Sequence, residues 1–99
     1  MLDFFKQPNE QIAIAVDFSR ALGVENPEPI KSVAFTAERN GEDATDDVIV
    51  PGTSRIDRFT NRVIVAVYHG TRGEYKITCS VRAGNMRLEK DIRMGVRES

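Results

Sequence analysis

The sequence predicts an all-β fold, an immunoglobulin-like antiparallel β-sandwich of six to seven strands. Three observations lead there. Apolar residues recur at two-residue spacing in several separate stretches. Turn-forming residues punctuate these stretches about every ten positions. No heptad or long helical period competes with them. With 99 residues, 40% of them apolar, the chain holds one compact domain and is too short for two. A domain of this size buries roughly 65% of its unfolded surface and needs no disulfide or metal to fold.

Residues 1–10 read as an N-terminal arm ahead of a single domain spanning 11–99. In QIAIAVDF, Ile12, Ile14, Val16 and Phe18 alternate with smaller or polar residues, which is strand spacing. SRALG is the one helical candidate, a single turn capped by Ser19 and ended by Gly23. Val24–Pro29, with Pro27 and Pro29, is a rigid connector. IKSVAFTAE places Val33, Phe35 and Ala37 on one face, and Asn40-Gly41 then marks a turn. DVIVPG is a short apolar run stopped by Pro51-Gly52. RVIVAVYHG is apolar on both faces and β-branched, as in a well-covered strand.

In GEYKITCSVRAG, Tyr75, Ile77, Cys79, Val81 and Ala83 share one parity, and Gly84-Asn85 supplies a tight hairpin turn. Met86, Leu88, Ile92, Met94 and Val96 share a parity in the last strand, interrupted by Lys90. Lys90 marks either a bulge or, by preference, an edge position where an inward charge discourages strand pairing.

Composition excludes several functions. Fourteen basic and fifteen acidic side chains give a net charge of −1, with nothing to attract nucleic acid or an anionic membrane at long range. MLDFFKQPNEQ has Asp3 and no apolar run before Pro8, so no secretory signal peptide is predicted. No stretch approaches the ~18–20 apolar residues of a membrane span. A single cysteine fits a reducing compartment, or at least a fold that needs no disulfide, and the chain reads as soluble and made in the cytosol.

The residues that carry chemistry read as structural. Cys79, between Ile77 and Val81 at two-residue spacing, faces the core as an inert thiol. A thiol enzyme needs a base, and His69, the only histidine, stands in a glycine-rich turn. No catalytic residue, cofactor or metal is therefore expected. Four carboxylates in residues 40–47 do not match the spacing of the helix–loop–helix calcium motif, and no bidentate glutamate follows at the required distance, so a solvated acidic loop is the expectation, with cation binding left open. Arg55, Arg58 and Arg62, with Asp57 among them, suit either a partner's carboxylates or a self-contained charge network with the acidic loop. Tyr75, at the start of its strand, is placed to bond back to the preceding corner through its hydroxyl.

Several stretches together resemble a family of small tailed-bacteriophage and prophage structural proteins, the fibre–tail adaptor or tail-associated proteins. The matching parts are FKQPNEQIAIAVDFSRALG, IKSVAFTAE and GEYKITCSVRAGNMRLEKDIRMGVRE, which cover most of the chain. TSRIDRFTNR and the turn before the last strand depart from the family pattern. The resemblance implies a non-enzymatic virion component, made in the bacterial cytoplasm, that joins other phage tail or fibre proteins and possesses no catalytic residues to carry over. A homo-oligomer is compatible with it. Phe4, Phe5, Arg55 and Arg58 are the candidate partner contacts, although Phe4 and Phe5 are equally able to fold back onto their own sandwich. A bacterial immunoglobulin-like binding module for a protein or glycan is the alternative.

Overall fold

The structure is a computed structural model that describes residues 2–22 and 29–98. Its strands, in chain order, are β1 (Phe4–Lys6), β2 (Ile12–Asp17), β3 (Ile30–Arg39), β4 (Glu42–Asp43), β5 (Arg55–Asp57), β6 (Arg62–Val67), β7 (Gly73–Ala83) and β8 (Met86–Val96). Two single helical turns, α1 (Ser19–Leu22) and α2 (Thr45–Val48), interrupt them. The strands form two sheets, ordered β1-β8-β7-β3-β4 and β2-β6-β5. This is the all-β sandwich the alternation predicts, with eight strands where six to seven are expected. The additional strands are β1, β4 and β5, each of two or three residues, too short to show a period.

Alternation decides which side of each strand is buried, because successive side chains leave opposite faces. Val16, Phe18, Val63, Val65 and Val67 from one sheet meet Phe35, Ala37, Tyr75, Ile77, Cys79, Val81, Met94 and Val96 from the other. The β7–β8 register runs unbroken from Gly73↔Val96 to Ala83↔Met86, so Lys90 sits in no bulge. β1 pairs only with Met94–Val96 of β8, which leaves residues 86–92 as a free edge among the described residues. Lys90 is therefore an inward charge on an edge, the preferred of its two readings. Its ammonium donates to the Asp17 carbonyl and lies 5.2 Å from the centre of the Phe18 ring.

The turns follow their residues. Asn40 and Gly41 both have positive φ, 54° and 81°, the signature of a type I′ hairpin turn. Gly84 has φ 59° and Asn85 is not left-handed, which makes the β7–β8 turn type II′. The bulge in the fold lies elsewhere, between Ile30 and Ser32 of β3.

Three local expectations change. Ser19 does not cap α1. It is the first helical residue, and its N–H donates to the Asp17 carboxylate at 2.8 Å while the Phe18 carbonyl accepts from Leu22. Gly23 and most of the 24–29 connector lie outside the described residues. DVIVPG begins in the turn α2, and only Ile49 forms a bridge, to Val67. β6 is central in its sheet yet covered on one face only; Ile64 and Ala66 are half-exposed on the other. A run of apolar residues marks a strand without saying how many layers cover it.

Residues 2–10 are tied to the domain. β1 is parallel to β8, Asp3 N–H donates to the Arg93 carbonyl, and Arg97 N–H donates to Lys6. Lys6 is 2% exposed, and its ammonium donates to the carbonyls of Gln7 and His69, each at 2.6 Å. Burial lowers its pKa below the ordinary lysine value, with Glu10 opposing. This lysine bolts the arm to the β6–β7 corner.

Candidate functional site

The β5–β6 hairpin carries the most exposed large apolar side chain among the described residues. Asp57 pairs with Arg62, and residues 58–61 close the turn. The Asp57 carboxylate accepts from the backbone N–H of Phe59 at 3.0 Å and of Thr60 at 3.4 Å, fixing the turn from within. Hydrogen bonding from Thr60 first, then from Phe59, holds the Asp57 carboxyl below its usual range. Asn61 completes the turn with φ 54°, and its carbonyl accepts from Phe18. Phe59 is thereby thrust wholly into solvent, at 102% relative exposure.

Around it lies a hollow of about 530 Å³, lined by Arg55, Ile56, Asp57, Arg58, Phe59 and Ile64. Arg55 stands opposite Ile64 on the outer face of the small sheet, since Ile56 takes the inward parity with Val63. That outer face continues through Ala66, Ala13 and Ala15, all small and none buried. The side chains of Arg55 and Arg58 make no ion pair and no hydrogen bond among the described residues. Arg62 reaches Asp17 at 3.8 Å, with both side chains about half exposed.

The self-contained charge network does not form. The acidic segment is held at the far end of β6, where Tyr68 N–H donates to Val48 and Thr45 bonds Ala37. At ~3.3 Å per residue, the length of β6 separates it from the arginine turn by roughly 20 Å. Asp43 accepts from the Thr45 hydroxyl at 2.6 Å, and no group of three acidic, histidine or cysteine side chains converges to hold a metal among the described residues.

The other sequence candidates disperse. Phe4 is half-buried and packs against the core. Phe5 lies flat on Gly95, where a β-carbon would come within 2.6 Å of its ring, and the Arg97 guanidinium covers it at 3.7 Å. Phe5 is still 47% exposed. Cys79 is fully buried between Phe35 and Lys90 in the sheet register, and burial pushes its thiol up to about 12, Lys90 opposing. His69 is exposed at the corner and stacked on Tyr68 at 4.0 Å, whereas Cys79 has no exposed surface. The folded protein is expected to resist iodoacetamide at Cys79 until denaturant is added; rapid alkylation in native buffer would contradict this burial.

Phe59 is the residue sequence reasoning missed. Its one signal is an aromatic flanked by arginines in a predicted turn, RIDRFTNR, where no core residue belongs. No family model matches this sequence, and no curated protein matches it either.

Proposed function

We propose that the chain is a non-enzymatic structural protein of a tailed-bacteriophage or prophage particle, a tail or fibre–tail adaptor component that acts through protein–protein contacts. The observation that carries the contact role is Phe59, fully exposed on a turn fixed by Asp57 and flanked by unpaired Arg55 and Arg58. Aromatic and arginine side chains dominate interface hot spots, because they bury large area with few rotatable bonds and bond carboxylates in a planar fork. The lining of the hollow beside Phe59 combines apolar Ile56 and Ile64 with Arg55, Arg58 and Asp57, suited to an aliphatic or acidic side chain of a partner. The assignment to a phage particle rests on the sequence resemblance. The buried, high-pKa thiol of Cys79 supports the non-enzymatic part.

Mass spectrometry of particles purified from an induced source strain tests the particle role. The chain is expected at a fixed ratio to tail proteins, and its consistent absence would overturn the reading. Phe59→Ala tests the surface: folding stability should stay within about 0.5 kcal/mol, since the ring touches nothing. Incorporation should fall, with about 2 kcal/mol or more lost from partner affinity. Undiminished incorporation of a Phe59→Ala, Arg58→Ala double variant removes this hairpin as the contact.

A further inference from the structure

We infer that the free edge of β2 is a self-association surface, where a second copy of this chain adds its own β2 antiparallel to form a continuous sheet. This inference is independent of the particle assignment.

The first observation is a missing neighbour. In seven-stranded immunoglobulin sandwiches, the first strand flanks the second in one sheet. Here the first strand, β1, pairs instead with β8 of the opposite sheet. β2 is left at the end of the order β2-β6-β5, with no strand on its outer side among the described residues.

The second observation is which backbone groups face that space. Phe18 N–H donates to Asn61, so even-numbered residues of β2 direct their backbone groups toward β6. Odd-numbered residues point outward, which is why the Asp17 carbonyl is available to Lys90. The N–H and C=O groups of Ala13 and Ala15 have no partner strand on their outer side among the described residues.

The third is that, among the described residues, β2 is the least guarded of the longer edges over Ile12–Val16, the Lys90 ammonium holding only the Asp17 carbonyl at its end. β8 has the inward Lys90, and β3 has its bulge at one end and β4 at the other, with β5 lying against it. β1, β4 and β5 are only two or three residues long. β2 has six residues, with no proline, no bulge and no charge before Asp17. Such an edge is a template for another strand unless something covers it. Ile12 and Ile14, on the inward parity, remain half-exposed for want of that neighbour.

The sequence of β2 is complementary to itself. In a two-fold register centred on Ile14, Ala13 of one copy faces Ala15 of the other, with each N–H donating to the facing carbonyl. Ile12 faces Val16, and the two Ile14 side chains meet on the axis. Small alanines lie on the outer face, apolar side chains complete the rim of each core, and no like charges oppose. Other occupants lack this match in kind: the acidic β4 and the arginine-bearing β5 would bring charge against Ile12 and Ile14 or the alanines. One strand pair buries less than the roughly 1,200 Å² of a stable interface, so the dimer forms reversibly and at high concentration.

Sedimentation equilibrium on the full chain tests this, with three proteins compared at low salt. The wild-type chain is expected to show a concentration-dependent monomer–dimer equilibrium. Ala13→Lys with Ala15→Lys places two lysine pairs face to face across the axis and should weaken dimerisation roughly tenfold or more. Ala13→Glu with Ala15→Lys converts the same pairs to attraction and should restore or tighten it, reversed by salt. Both side chains face solvent on the outer face, so circular dichroism and melting temperature should report folded proteins. Three results overturn the proposal: a wild-type monomer up to its solubility limit, a double-lysine variant that dimerises like wild type, or a Glu/Lys variant as weak as the double lysine. A monomer whose β2 edge accepts only another protein's strand gives the first of these.

Discussion

Replacing Tyr75 by alanine is expected to remove about 3–5 kcal/mol of folding stability, the range for deleting a buried large aromatic. A single domain has roughly 5–15 kcal/mol in total, so this variant will be marginal or unfolded at 25 °C. Tyr75 is completely buried at the corner where β6 turns into β7. Its hydroxyl accepts from Thr71 N–H at 2.8 Å, the bond back to the preceding corner that its place in the sequence predicts. The Arg39 guanidinium lies 5.8 Å from the ring centre and donates to the Arg72 carbonyl at 2.8 Å. Gly70, with φ 92°, lets the corner close so tightly that a β-carbon there would come within 3.0 Å of Val96. Tyr75→Phe keeps the ring and loses one hydrogen bond, so about 1 kcal/mol is expected. Urea titration separates the two: equal losses for Phe and Ala would assign the corner to the hydroxyl rather than to the packed ring.

Deleting residues 1–8 is expected to cost the isolated domain about 3 kcal/mol or more, from lost Phe4 packing and lost hydrogen bonds of Lys6. Without β1, Met94–Val96 lose their parallel neighbour, and Gly95 loses the Phe5 ring that covers it. The carbonyls of Gln7 and His69 are held by one ammonium, so the deletion leaves His69 without that donor. Lys6→Ala should reproduce part of the loss while leaving β1 in place. Thermal unfolding of the three proteins in isolation checks this. A truncated domain as stable as the full chain would mean that the arm contributes nothing to its own sandwich and is held for a partner. The expected loss leaves Phe59, not Phe4, as the principal aromatic for contact.

Much of this was legible because β-strand parity is a local code. Cys79 between Ile77 and Val81 had to face inward once the stretch was a strand, and its alkylation resistance follows from that parity alone. Gly84-Asn85 and Asn40-Gly41 announced their turns through the positive φ that glycine and asparagine tolerate. The candidate site was less legible. Arg55 and Arg58 are visible as charges, but the sequence does not say whether Asp57 pairs with them, and it instead bonds the backbone of its own turn. Phe59 looked like any aromatic until that turn directed it outward. Lys6 gave no sign of burial, because a lysine in a polar opening reads as solvated and its burial is made tolerable in part by the carbonyl of His69, distant in sequence.

The sequence by itself determined which face of each long strand is apolar, where the chain reverses, and that an all-β core results. Periodicity and turn chemistry act over a few neighbouring residues, so they can be read without coordinates. The tertiary structure decided which strand lies beside which. Ladder hydrogen bonds join backbone groups common to every residue, and the side-chain pattern of β1 does not say whether it belongs beside β2 or β8. Its choice of β8 buries Lys6, draws Phe5 onto Gly95 and leaves the edge of β2 without a partner strand among the described residues.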